Sequence, residues 1–290
     1  LQKAARPWKI AETPMDLSKR YATGNFWDVA GERLLIMGKE QGGIDEIWSH
    51  PFMAFRDYEV GIRFSYNDSI IWLNDQRPMI TVSPTHFKRL YQFRRAFLTE
   101  IITVSPDQPQ AVIHYEYRGV YSAELFIRFK SNQRLMWPYS GGVLGGMNYT
   151  FHQKLNAYVL TDPSGDFVSV MGFNKELHPV YFSDSPLLPA IRKENHPIGP
   201  FGSITAKDSV WHAAPAKGIL VSGLAHFRLN MNDNLDVIVA AGNEGLEKSV
   251  SAFQQALHDP EKIYKNALDY HAGLKKEKLQ VISPDSVFNL

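Results

Sequence analysis

Asp45, Glu46, Asp57, Glu59 and Asp75 are carboxylates close enough in sequence to suggest acid–base work. Glycoside hydrolysis needs two such groups flanking one bond, an acid for the leaving oxygen and a base or nucleophile opposite. Nothing in their spacing sets two of them across a cleft, and each also suits a strand end or a solvated surface. The sequence therefore assigns no catalytic residue. The aromatic residues are more suggestive. Trp48-Ser49-His50-Pro51, Trp72 and Trp137-Pro138-Tyr139 fall at loops or strand ends. Planar rings stack on the C–H faces of sugars, and Asn148 adds a neutral amide that can bond a hydroxyl. Trp137, Tyr139, Asn148 and Trp48 are the candidate substrate-binding residues. The competing reading is that these rings fill the core of a large β fold, where aromatics carry much of the buried area.

Other chemistries lack their residues. Gly141–Gly146 has no Gly-Lys-Ser/Thr ending and follows no βα unit, so it is a wide turn rather than a phosphate loop. The ten histidines are scattered, with no pair one helical turn apart. Asn230, Asn232, Asp233, Asn234 and Asp236 are rich in oxygen, but they lack the glycine and closing glutamate of a calcium loop and suit a turn better. Cysteine is absent, which removes thiolate metal sites, thiol nucleophiles and disulfides together. No metal and no cofactor are expected. Lys and Arg number 31 against 30 Asp and Glu, which leaves no electrostatic footprint for nucleic acid. No apolar run is long enough to span a membrane.

The elements that must hold these residues read mainly as β. In Gln110–Arg118, Ala111, Ile113, Tyr115 and Tyr117 share one face. In Ser122–Lys130, Ala123, Leu125, Ile127 and Phe129 do the same. Period-2 alternation predicts half-buried antiparallel strands, with Gly119–Tyr121 as a short hairpin connection between these two. Ser105–Pro109 predicts a turn, because its two prolines break a ladder. Further strands are expected at Arg33–Met37, Tyr58–Tyr66, Ser69–Leu73, Met79–Ser83, Ala157–Thr161, Phe167–Asn174, Gly218–Leu229 and Asn234–Ala241. Val237–Ala241 is apolar throughout, as a strand covered on both faces would be. Asn230–Asp233 is expected to turn between the last two strands. Many strands without intervening helices predict a large antiparallel β-sandwich. Two long irregular segments, Asn132–Thr150 and Ser183–Gly202, are candidates for function or for an interface.

Helical periodicity begins only after Gly242. Leu246, Val250, Phe253 and Leu257 form one stripe, with Asn243 as the expected N-cap. Asp259-Pro260-Glu261 opens a second helix carrying Ile263, Ala267, Tyr270 and Leu274. The expected organisation is a β domain over 1–242, a two-helix linker over 243–280, and the start of a further domain over 281–290. The first helix is expected to share its stripe between the sandwich and that further domain.

This order of features resembles the N-terminal part of glycoside hydrolases of the glycogen-debranching and glucosidase type. The residues that carry the resemblance are Gly42–Pro51, Phe55–Tyr58, the strand pair around Ser105-Pro106-Asp107, the helices over Asn243–Lys278, and Val281–Asn289. The resemblance implies a "supersandwich" domain, a helical linker and an (α/α)6-barrel whose residues carry out catalysis. It also implies that no catalytic residue lies in this stretch, that the barrel is the sandwich's partner, and that an α-glucan-like oligosaccharide is the ligand. Such proteins are often exported to the periplasm, and a removed signal is one reading of a chain starting at Leu1; trimming is the other. A free-standing carbohydrate-binding or structural β-sandwich is the alternative to a domain of a hydrolase.

Overall fold

The computed structural model describes residues 7–137, 146–177, 181–183, 190–191, 197–198, 214–215 and 220–277. Two antiparallel sheets face each other. The ten-stranded sheet runs, in spatial order, Leu17–Lys19, Met79–Ser83, His86–Phe93, Ala96–Val104, Gln110–Gly119, Asp233–Gly242, Val168–Phe173, Ala157–Thr161, Asn148–His152 and Ala214–Pro215. The eight-stranded sheet runs Tyr181–Ser183, Val221–Leu229, Ala123–Ser131, Phe52–Phe64, Ile44–Ser49, Leu34–Lys39 and Phe26–Ala30, with Ile71–Trp72 paired beside Phe52–Phe64.

The main core fills the space between the sheets. Tyr58, Val60 and Ile62 of one sheet meet Tyr115, Tyr117 and Val239 of the other within a single buried cluster. The apolar run near the end of the sandwich serves both of its faces. Val237, Val239 and Ala241 enter this core, whereas Ile238 and Ala240 face outward into a second one. Two helices cover that outer face, α1 over Leu246–His258 and α2 over Pro260–Glu277.

Two expected hairpins are instead crossings between the sheets. Gln110–Gly119 pairs with Ala96–Val104 and Asp233–Gly242, while Ala123–Ser131 pairs with Phe52–Phe64 and Val221–Leu229. Gly119–Tyr121 therefore carries the chain from one sheet to the other, as does Asn230–Asn232. Alternation fixes which residues face the core, but a short polar connection serves a hairpin and a sandwich crossing equally well.

The seam of α1 is also rotated from the expected stripe. Ser249, Ala252, Phe253 and Ala256 are buried, while Leu246, Val250 and Leu257 are only partly so. Small residues let the helix lie close to the sheet, and Phe253 fills the gap they leave. Gly245, not Asn243, stands at the N-cap position. On α2, Ile263 and Ala267 are buried as expected, joined by Tyr264, but Tyr270 is exposed. Residues 281–290 lie outside the described residues.

Candidate functional site

A strip of charged and aromatic side chains crosses the outer face of the eight-stranded sheet and ends at the segment that leads to Trp137. It begins with a local irregularity. Phe55 and Tyr58 both enter the core, so the two residues between them, Arg56 and Asp57, both turn outward. The register against Ala123–Ser131 shifts there, and Asp57 takes φ +49°. An aspartate tolerates that left-handed backbone better than most residues. Bulges of this kind redirect side chains. Here the bulge sets Asp57 beside Asp45 and Glu59, around a shallow pocket of about 170 Å³ shared with Asn74 and Lys130.

Three of the five carboxylates singled out in the sequence thus converge. Two of the three are ion-paired, and among the described residues the third is not. Asp57 pairs with Lys130 at 3.1 Å and with Arg56 at 3.5 Å. Glu59 pairs with Arg128 at 2.6 Å and accepts from Asn74 Nδ2 at 3.3 Å. Asp45 is half-buried, and burial first of all, reinforced by Glu46 and Asp57, holds its carboxyl above the ordinary range. Glu46 accepts from Trp48 Nε1 at 2.7 Å. Asp75 stands apart, exposed at the end of the 3₁₀ turn Leu73–Asp75. The aromatic members are locked by cations. Arg128 lies 3.8 Å over the Trp72 ring, and Arg134 lies 5.4 Å over Trp48.

The Gly42-Gly43 turn that leads into Asp45 is pinned from inside the sandwich. Arg89, fully buried, donates through Nε to the carbonyl of Glu40 and through Nη2 to those of Lys39 and Gly43. Its charge is met by Glu100, which also accepts from Tyr115 at 2.8 Å. Tyr115 in turn shares a hydrogen bond with Tyr58. Gly42 has no room for a side chain, since a Cβ there would lie 2.6 Å from the Leu73 carbonyl.

The four candidate substrate-binding residues divide. Trp48 is nearly buried, at 7% exposure, and Trp137 is 78% exposed. They belong to the same end of the sandwich, because the segment leading to Trp137 runs beside the turn that follows Trp48. Met53 N donates to the Arg134 carbonyl and Met136 N to that of Pro51, each at 2.8 Å. The peptide before Pro51 is cis. Gln133 anchors this segment to the opposite sheet through the carbonyls of Leu160 and Phe167. Asn148 is half-buried on that sheet, in register with Thr161, the residue after Leu160. Tyr139 lies outside the described residues, as do residues 141–145 of the glycine run. Arg134, Arg128 and Lys130 organise the strip and were not singled out from the sequence. Their role depends on partners distant in the chain, which no local pattern displays.

Among the described residues, no three His, Asp or Glu side chains gather as a metal-ligating group. No described helix is long and apolar enough to cross a membrane. The strip offers aromatic surface and fixed donors and acceptors, with Asp57 and Glu59 ion-paired and Asp45 a carboxyl held above its ordinary range. Such a surface can hydrogen-bond neutral, hydroxyl-rich groups.

No protein-family model matches the chain, and no curated protein matches it by sequence. Solved structures do match by fold. A bacterial glucoamylase complexed with acarbose aligns over 88% of this chain with a TM-score of 0.54 and 12% identity. An inverting mannosidase from Bacteroides thetaiotaomicron aligns over 83% at TM-score 0.46 and 8% identity. A 4-alpha-glucanotransferase from Thermococcus litoralis aligns over 73% at 0.42 and 10%. The chain spans 40% of the glucoamylase, 32% of the mannosidase and 37% of the glucanotransferase. The likeness to the glucoamylase is one of fold, over part of that chain.

Proposed function

We propose that this chain is the non-catalytic β-sandwich domain, with its helical linker, of a glycoside hydrolase of the glycogen-debranching or glucosidase type. The observation that carries the reading is the alignment of most of the chain with less than half of the glucoamylase. In this reading the (α/α)6-barrel is the partner and supplies the catalytic acid and base. The ion-paired carboxylates of the strip agree with a supporting role.

The end bearing Trp137 and Asn148 is the part nearest the glycan in this account. An exposed indole has little packing to lose and apolar area to gain when a pyranose stacks on it. Trp48 then acts one layer below, stiffening the turn against which the Arg134–Trp137 segment runs. Export to the periplasm belongs to the same reading, and fractionation of cells carrying the native gene tests it. Kinetics of the whole enzyme test the glycan contact. Trp137→Ala should raise KM or lower kcat/KM on a maltooligosaccharide while leaving the melting temperature nearly unchanged. Unchanged kinetics would remove Trp137 from the substrate path.

A further inference from the structure

His114 lies on the outer face of the ten-stranded sheet, beneath the N-terminal segment and α2, and is 1% exposed. Both of its ring nitrogens face carboxylates. Nδ1 is 2.5 Å from Asp236 Oδ1, and Nε2 is 3.2 Å from Glu116 Oε1. A neutral imidazole has one N–H and one lone pair, so it would turn that lone pair towards a carboxylate oxygen. The doubly protonated ring donates to both. Neither acceptor is loose. Asn174 Nδ2 donates to Asp236 Oδ2 at 2.6 Å, and Asp236 N donates back to Asn174 Oδ1 at 2.9 Å. Glu116 Oε1 also accepts from the backbone N–H of Trp8 at 2.8 Å.

The Trp8 indole stacks on the His114 ring, with centroids 4.3 Å apart and planes inclined by 13°. Indole is the best of the aromatic faces for a cation. Trp8 is therefore held twice by one charge, directly through the stack and indirectly through the carboxylate that the imidazolium fixes. The segment then reaches α2, where Ala11 N donates to Tyr264 Oη at 2.8 Å.

We infer that protonated His114 is the clasp of a pH-sensitive strap: its charge holds the segment from Trp8 to Asp16, and through Tyr264 helix α2, against the sheet, and loss of that charge releases the strap. The charged and titratable groups around the clasp agree with this. Burial alone would lower the His114 pKa, but the hydrogen bonds that the ring donates to Asp236 and Glu116, and their charges, outweigh it and hold the value above the ordinary one. Burial would raise Glu116, but the His114 hydrogen bond and charge, the Trp8 N–H and Arg118 hold it low. From the neighbouring strand Ala96–Val104, the residue in register is the apolar Ile101. From the helix side, Tyr264 is pushed up chiefly by burial and stays protonated, with Glu261 also acting on it. His86, edge-on to Tyr264 at 5.6 Å, is held at about 4 by burial and stays neutral near pH 7. On the strap, Lys9 and Glu12 are exposed and Asp16 is bonded to Thr13.

The signs define a window. A raised histidine gives its stabilisation in full below its ordinary pKa and loses it as pH rises through the raised value. A lowered glutamate loses its contribution as pH falls through the lowered value. The strap is closed between these limits, and the His114 titration sets the alkaline one.

Hydrogen exchange on the full 290-residue chain, corrected for intrinsic rates, tests this, together with ¹⁵N NMR of the His114 ring. Both ring nitrogens should carry protons at neutral pH, and a singly protonated ring there overturns the inference. Amide protection over the strap should fall roughly tenfold as pH rises through the His114 titration, the change that about 1.4 kcal/mol produces. His114→Gln should show the low value at every pH. Trp8→Leu keeps the histidine and an apolar side chain, so it serves even where the Gln variant fails to fold. It should loosen the strap and lower the His114 titration. Strap protection that ignores pH in the unaltered chain, or a titration unmoved by Trp8→Leu, overturns the inference.

Discussion

Phe253 of α1 packs directly over Gly172 of the ten-stranded sheet. A Cβ at position 172 would lie 2.4 Å from Phe253 Cζ and 2.7 Å from the Ala157 Cβ. The missing side chain in the strand is the space the phenylalanine occupies. With Ala252 and Ala256, Phe253 joins the helix to a core with Val112, Val170, Ile238 and Ala240. The strand beneath is thereby covered on both faces.

Phe253→Ala should cost about 3–5 kcal/mol by emptying that space. Gly172→Ala should cost about 1–3 kcal/mol by overfilling it. Urea unfolding of the two variants checks both. If Gly172→Ala leaves the midpoint unchanged, the helix does not lie where it is described.

The buried pair Arg89–Glu100 gives a second expectation. Glu100→Gln leaves the guanidinium uncompensated inside the sandwich and should cost about 3–5 kcal/mol. Arg89→Met combined with Glu100→Leu should recover part of that loss but not all, because three backbone carbonyls of the Lys39–Gly43 turn lose their donor. Denaturant unfolding of the single and double variants decides. A single variant within about 0.5 kcal/mol of the parent would mean the charge is not confined there.

His86 supplies a pH prediction. Burial holds its pKa at about 4 against an ordinary 6.5, with only Asp16 pulling upward. The fold prefers the neutral ring, so its contribution is complete above the ordinary value and shrinks as pH falls through about 4. The loss should approach roughly 3 kcal/mol in acid. Melting temperatures measured from neutral pH downward should fall less steeply in His86→Gln than in the parent. Parallel curves would contradict it.

The two tryptophans at the loop end should behave oppositely. Trp48→Ala removes a nearly buried ring together with its bond to Glu46, and should cost about 3–5 kcal/mol. Trp137→Ala should change stability by no more than about 0.5 kcal/mol. Thermal unfolding of the two variants side by side checks the contrast, and equal losses would place Trp137 among the packing residues.

Much of this architecture was legible in the residues, and the exceptions have physical causes. Alternation in Gln110–Arg118 gave the strand and the face that enters the main core, though not the burial of Val112 and His114 on its other face, and Val237–Ala241 announced cover on both sides. Pairing was not legible at Gly119–Tyr121, since sheet membership is set by contacts far along the chain. The face of α1 was legible in part: Phe253 lies in the outer core with Leu246 and Leu257 packed against it, but hydrophobicity does not show that close approach to a sheet favours Ser249, Ala252 and Ala256. At the candidate site, Trp48 and the carboxylates could be named from sequence, but not the bulge at Arg56–Asp57 or the Arg134 cover. Those arise only when strands from separate parts of the chain are laid side by side.

The central claim is that this chain supports glycan hydrolysis carried out by an adjoining domain. The most direct measurement is maltooligosaccharide turnover by the 290-residue chain, set beside turnover by the same chain expressed with whatever coding sequence follows it in the native gene. The account predicts no turnover from the first and saturable hydrolysis from the second. Hydrolysis by the 290-residue chain alone, or a native gene that ends at Leu290, would contradict it.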